Sequence, residues 1–194
     1  MPDTPSARTR LVNATGDLLE AKGYFATGLN EIVERGHAPK GSLYHYFPDG
    51  KEALAAEAIS ERAAAMAERT RAHLAGNPDA ATAIRDFILE MAEHVQESGC
   101  QAGGPIAAVA LEASNTSERL RLTCQAAYAS LRAAFLEKLT GSGIAPERAE
   151  ALATLVTAAI EGGIILARTN RETTHLRQVA EELHRAISLE GSKP

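Results

Sequence analysis

The sequence predicts an all-α protein, and three observations carry that prediction. Apolar residues recur at helical spacing along nearly the whole chain, and no segment alternates apolar and polar cleanly enough for a half-buried strand. Aromatic residues make up only 4% and Trp is absent, whereas strands favour Val, Tyr, Phe and Trp. The breaks between periodic stretches fall at Gly, Pro and Asn, the residues that punctuate helices. With 194 residues, the chain suits one domain or one domain plus a small module. Its 45% hydrophobic and 23% charged fractions exclude disordered and low-complexity classes and supply a real core.

A first helix is expected from Ser6 to Lys22, with Leu11, Ala14, Leu18 and Leu19 on one face and Gly23 at the stop. Tyr24 and Phe25 are expected to pack its end. Thr27 or Gly28 opens a short helix through Leu29, Ile32 and Val33, which stops at Gly36. A third begins at Pro39, a residue suited to a first turn because its missing N–H would be unpaired there, and ends near Phe47. Pro48-Asp49-Gly50 is a turn, with Asp49 placed to cap a long Ala-rich helix from Lys51 towards His73.

Gly76-Asn77-Pro78-Asp79 marks the next break. Beyond it Ile84, Phe87, Ile88, Met91 and Val95 make a stripe that runs out at Ser98-Gly99-Cys100, and Gly103-Gly104-Pro105 opens a short helix through Ala113. Leu120, Cys124, Tyr128, Leu131 and Phe135 form another stripe, ending before Gly141. Pro146 starts a further helix carrying Leu152, Leu155, Val156, Ala159, Gly163 and Ala167, and the last runs from Thr174 to Leu189, with a frayed tail from Gly191 to Pro194.

Charge and composition narrow the function. Twenty basic against 25 acidic residues give a net charge of -5, which argues against indiscriminate binding to nucleic acid but not against a local basic face. Such a face is concentrated between Arg35 and Lys51, where Arg35, Lys40 and Lys51 stand against Asp49 alone, beside His37 and His45. No apolar run reaches the roughly 20 residues that a membrane span takes, and no signal-type start is present, so a cytoplasmic protein without a membrane partner is expected. Cys100 and Cys124 are too few for a disulfide scaffold and read as reduced thiols. There is no HExxH, no GxSxG, no Gly-rich phosphate loop and no His or Cys pair at metal-ligand spacing. The chain is therefore read as a non-enzyme, with no catalytic residues, no metal and no cofactor.

Two short helices joined by a tight turn, the second opening with Pro39-Lys40-Gly41-Ser42, have the layout of a helix-turn-helix. An α-helix fits the major groove of B-DNA, where its first turn and exposed face reach base edges while flanking groups hold phosphates. Lys40 suits a guanine edge or a phosphate, Gly41 a close backbone approach, and Ser42, Tyr44 and His45 offer polar tips. Thr27 flanks the unit, and Lys51 opens the next helix, where its charge adds to that of free N–H groups. The candidate DNA-binding residues are thus Thr27, Pro39, Lys40, Gly41, Ser42, Tyr44, His45 and Lys51. Leu43 and Phe47 read as core of the module, with Tyr46 as a further candidate for it. A helical binding or scaffold protein without DNA activity is the competing reading.

The stretch from Gly28 to Phe47, with Lys-Gly-Ser-Leu-Tyr-His-Tyr-Phe at residues 40–47 and Lys51-Glu-Ala-Leu54 after it, resembles the TetR (tetracycline repressor) family of regulators. The resemblance covers residues 6 to 54 strongly and the remainder in helix number and order. Pro48-Asp-Gly-Lys51, together with Gly104-Pro-Ile-Ala-Ala-Val-Ala-Leu-Glu-Ala-Ser114, is similar to the LmrA/YxaF-like branch, whose members respond to drugs or plant-type aromatic compounds. Members of that branch often carry Cys where Gly104 stands, and this chain departs from them there.

The resemblance implies a helix-turn-helix domain over residues 1–50 and a helical ligand-binding and dimerisation domain over 51–194. It also implies a homodimer through the last two helices, bound to palindromic double-stranded operator DNA as a repressor and released by a small apolar or aromatic effector. Ala158, Ala159, Gly162 and Gly163 would let helix backbones approach closely, within the subunit or between subunits. Phe87, Met91, Val109, Tyr128, Leu131 and Phe135 could line an effector cavity, with Glu112, Asn115, Gln125 or Tyr128 as polar anchors; ordinary core is the competing reading. Cys100, beside a glycine-rich break, reads as an inert thiol, with an accessible thiol that senses electrophiles as the alternative, and Cys124 reads as core.

Overall fold

The computed structural model describes residues 5–191. Among them are nine helices and no strand: α1 (Ala7–Lys22), α2 (Leu29–Arg35), α3 (Lys40–Tyr46), α4 (Lys51–Ala75), α5 (Ala80–Glu97), α6 (Pro105–Ala113), α7 (Glu118–Gly141), α8 (Pro146–Asn170) and α9 (Thr174–Gly191). The all-α expectation holds. Of the expected frayed tail, residues 192–194 lie outside the described residues, and α9 itself reaches Gly191.

Local chemistry sets most boundaries where the sequence placed them. Ser6 caps α1, its Oγ accepting from the Thr9 N–H at 3.1 Å. Gly23 ends α1 at φ +79, and its N–H reaches back to the Leu19 carbonyl at 2.9 Å. Pro39 is the residue just before α3 rather than its first helical residue. Asp49 was expected to cap α4, but its Oδ2 accepts from the Arg119 guanidinium at 2.9 Å. Helices α4 and α7 run slightly past their expected ends, to Ala75 and Gly141.

Asp79 caps α5, with Oδ2 accepting from the Thr82 N–H at 2.7 Å. Hydrogen bonding to the Thr82 side chain, then to its backbone, holds this carboxyl below its ordinary range. Asp79→Ala should therefore cost about 1 kcal/mol of stability at neutral pH in denaturant titrations. Because the folded-state value is depressed, the cap's contribution is complete above the unfolded value of about 4 and is lost as pH falls through the lower folded value.

The chain divides into two compact units: the described residues up to Ala63 with Pro105–Ala127, and Ala64–Gly104 with the described residues from Tyr128 on. This division differs from a boundary at residue 50, because α6 packs against α1 inside the first unit. There α1 contributes Leu11, Leu18 and Leu19, α2 Ile32, α3 Leu43, α4 Leu54 and Ile59, and α6 Val109, all essentially removed from water. In the second unit α5, α8 and α9 pack pairwise around Ile84, Ile88, Leu152, Val156, Leu176 and Leu183.

Two adjacent glycines of α8 behave differently. A Cβ on Gly163 would lie 2.6 Å from Leu176 Cδ1 and 3.4 Å from its Cα, so this glycine lets α8 and α9 approach within the subunit. A Cβ on Gly162 would meet nothing within 4 Å. By length and composition α8 is also long and apolar enough to cross a membrane, which corrects the expectation that no such run exists. A core helix meets the same test, and α8 buries Leu152, Val156, Ile160 and Ile164 inside its unit.

Candidate nucleic-acid interface

The first three helices form a small module in which α1 packs on α2 and α3, and α2 on α3. Leu43 and Phe47, four residues apart, turn one face of α3 inward, at 1% and 3% exposure. The opposite face is left to solvent: Pro39, Lys40, Gly41, Tyr44, His45 and Tyr46 are all exposed, and Ser42 is half-buried. Tyr44 and Tyr46 are 64% and 40% exposed, large aromatic surfaces on a helix too short to need them for its own packing. Tyr46, a candidate for the module's core from the sequence, belongs instead to the outer face, with its ring edge-on to His45 at 4.9 Å.

The module is braced by a residue that the sequence reading missed. Arg10 on α1 donates from Nε to the Gly36 carbonyl at 3.0 Å, from Nη2 to His37 at 3.2 Å and from Nη1 to Pro5 at 2.7 Å. Two of these carbonyls lie at the end of α2, where a cation is favoured by the helix dipole. His37 takes a left-handed φ of +45 there, and the N–H of Ala38 returns to Val33 at 3.1 Å. The turn that aims α3 is therefore held by backbone closure and by one guanidinium. The signal for Arg10 is weak in sequence because two of its three partners are backbone carbonyls 26 and 27 residues away.

The expected cations are not equally free. Arg35 pairs with Asp17 at 3.2 Å, and Lys22 with Glu31. Lys51 lies 4.3 Å from the centre of the Tyr24 ring, and burial lowers its ammonium from the ordinary value while Glu112 raises it. Lys40 has no ion pair among the described residues and is exposed. Thr27 corrects the sequence reading: it is 1% exposed, and its hydroxyl donates to the Gly23 carbonyl at 2.6 Å. Its hydroxyl closes the α1–α2 turn instead of facing a ligand. Phe25, expected to pack the end of α1, is instead 63% exposed.

Gly41 has no need of its missing side chain within the chain: a Cβ there would meet nothing within 4 Å. Glycine in a helix costs roughly 0.5–1 kcal/mol relative to Ala. Gly41→Ala is accordingly expected to raise stability by about that amount, measured by chemical unfolding, while weakening DNA binding, measured by anisotropy. A gain in both would mean that no backbone or base edge comes close to this position.

The candidate effector residues divide between the units. Val109, fully buried, and Glu112 lie in the first, where Glu112 Oε2 accepts from the Phe25 N–H at 2.8 Å. That engagement ties α6 to the α1–α2 turn and corrects Glu112's assignment as a free anchor. Phe87, Met91, Tyr128, Leu131 and Phe135 lie in the second, where Phe87 is edge-on to Phe135 at 5.8 Å and to His73 at 5.5 Å. Phe135 belongs to the core, with Phe87 and Met91 packed against it. Tyr128 hydrogen-bonds to Glu161 of α8, a second residue that the sequence reading passed over. Cys100 is 2% exposed, three residues past the last residue of α5, which fits the inert thiol and not the accessible sensor. Cys124 is buried as expected, and burial pushes its thiol up.

Comparison with known proteins agrees with this geometry. Residues 11–58 match the family described as bacterial regulatory proteins, tetR family, and residues 80–182 match the transcriptional regulator LmrA/YxaF-like C-terminal domain. The chain is 36% identical to the HTH-type transcriptional regulator YxaF of Bacillus subtilis over 191 residues, 98% of this chain and 100% of that one. It is 36% identical to the HTH-type transcriptional regulator LmrA of the same organism over 174 residues, covering 90% and 93% of the two chains. A cysteine-substituted TetR-family transcriptional regulator CifR, solved in complex with double-strand operator DNA, superposes with a TM-score of 0.77 at 22% identity, covering 96% of this chain and 98% of that one. An outward α3 face on an Arg10-braced module, matched along both halves of the chain, makes this protein a DNA-binding transcriptional regulator of the TetR family, in its LmrA/YxaF-like branch.

Proposed function

We propose that the chain is a cytoplasmic homodimeric repressor that holds a palindromic operator through α3 and leaves it when a small apolar or aromatic effector enters the second unit. The observation that carries the reading is the outer face of α3, where Lys40, Gly41, Tyr44 and His45 stand clear while Leu43 and Phe47 lock the helix from behind. Lys40 and Tyr44 contact bases or phosphates from the major groove, Ser42 and His45 add hydrogen bonds at the rim, and Pro39 sets the start of the helix. Lys51 reaches a phosphate by leaving the Tyr24 ring.

A dimer is needed because one seven-residue helix reads too few base pairs for an operator, and two such helices must sit about 34–36 Å apart to enter successive major grooves. The α8 surface supports pairing with a second copy. Leu155, Ile165 and Leu166 are each close to half exposed, Ala158 is exposed, and Gly162 leaves open space beside them. Effector release is a population shift: the effector binds better to a dimer whose α3 helices are misplaced, since only differential affinity moves the equilibrium. Helix α4 is the lever, with residues 51–63 in one unit and 64–75 in the other. Glu112 adds a hold of α6 on the α1–α2 turn.

The experiment combines mass and DNA binding. Leu155→Glu with Leu166→Glu is expected to convert a dimer to a monomer in analytical ultracentrifugation and to weaken operator binding by at least about a hundredfold. A double variant that stays dimeric, or a monomer that binds the operator as well as the parent, would remove α8 from the interface.

A further inference from the structure

Between Ala151 and Ala167 of α8 the only charged residue is Glu161. Its Oε2 is buried with no hydrogen-bond partner among the described residues, and no ion pair there neutralises it. Tyr128 of α7 hydrogen-bonds to the same carboxyl, and both residues belong to the second unit. A partly buried carboxyl with one oxygen withdrawn from water, held by one phenol and left without a partner on that oxygen, is a costly arrangement that a merely structural role does not explain. An apolar residue at position 161 would fill the same helix at lower cost.

We propose that Glu161 and Tyr128 are the recognition point for a cationic effector, an ammonium or related positive group carried on an apolar frame. The proposal rests on the reading of the second unit as the effector-binding unit and adds the charge of the ligand. A cation supplies what the vacant oxygen lacks, a charge-assisted hydrogen bond in a low-dielectric setting. The Tyr128 hydroxyl keeps the carboxylate oriented by donating to it. Burial raises the Glu161 carboxyl from its ordinary value, with the Tyr128 bond opposing, so an arriving cation also favours ionisation of the group that receives it.

The frame follows from helix geometry. Tyr128, Leu131 and Phe135 recur at intervals of three and four on one face of α7, and seven residues of helix advance about 10 Å. Phe135 and its edge-on partner Phe87 therefore lie about that far along the helix from the polar pair. A ligand matching both ends has a positive group and an aromatic or aliphatic body of roughly biphenyl length.

The test uses two probes with one frame, 4-biphenylmethylammonium and 4-biphenylmethanol, titrated calorimetrically into the full chain, its Glu161→Gln variant and its Tyr128→Phe variant. The parent protein should bind the ammonium about tenfold more tightly than the alcohol. Glu161→Gln should erase that preference with the alcohol's affinity unchanged, which shows the site intact, and Tyr128→Phe should reduce the preference without abolishing it. Equal affinity for both probes, binding of neither by folded protein, or a preference that survives in Glu161→Gln overturns the proposal. So does a Glu161→Gln variant whose only change is in dimer dissociation, because the carboxyl then faces a second copy. DNA binding measured alongside separates the two levels: release from DNA by the alcohol but not the ammonium sinks the cationic effector alone, whereas absence of specific DNA binding sinks the regulator reading beneath it.

Discussion

Lys40→Ala combined with Tyr44→Ala is expected to reduce specific DNA binding to the non-specific level, with helix content and unfolding midpoint unchanged. Both side chains are exposed, and Leu43 and Phe47 on the opposite face carry the packing of α3. Removing Lys40 alone should lower the magnitude of the salt slope by about one if it neutralises a phosphate, and should weaken binding to all sequences alike. If Lys40 reads a guanine edge instead, its loss relaxes specificity at one base pair, at about 1–3 kcal/mol. Thr27→Ala is the internal contrast. Its hydroxyl closes the α1–α2 turn onto Gly23, so that variant should lose stability first and DNA affinity only through it. Anisotropy titrations paired with thermal unfolding separate these cases, and a double Ala variant that still binds its site specifically would remove α3 as the reader.

The second large effect concerns the core. Leu152→Ala on α8 is expected to lower the unfolding free energy by about 2–5 kcal/mol, because Leu152 is completely buried in the cluster shared by α5, α8 and α9. Its loss removes burial and leaves a cavity among side chains that collapse only partly. Leu111→Ala, at a side chain 78% exposed, should change stability by less than about 0.5 kcal/mol. Denaturant titrations of both variants check the pair, and a small effect at Leu152 would mean that α8 is not packed as the structure has it.

The helices were legible because their information is local. Spacing of apolar residues, Gly at ends and Asp79 before α5 are all readable within a few positions; α2 and α5 fall where those signals put them, while α3 starts one residue later and α4 runs slightly longer. The outer face of α3 was equally legible, since Leu43 and Phe47 one turn apart decide which side is hidden. What escaped depends on partners distant in sequence. Arg10 drew no reading from the sequence because its role depends on carbonyl partners at Gly36 and His37, and Glu112 looked like an anchor until Phe25 was found 87 residues away. Thr27 was misjudged because hydroxyls serve turns as readily as they serve ligands. Glu161 did leave a trace, a lone acid in an otherwise apolar helix. Burial alone tells why that matters, and burial is not a property of a sequence window.

The measurement that bears most directly on sequence-specific DNA binding is fluorescence anisotropy of the full chain with labelled duplex from upstream of its own gene, at two salt concentrations and with excess competitor DNA, alongside a selection from random duplexes. Tight, competitor-resistant binding that falls steeply with salt, together with a selected palindrome, is the predicted result. A folded dimer that binds the labelled and scrambled duplexes equally, and enriches no sequence from the random pool, would contradict it.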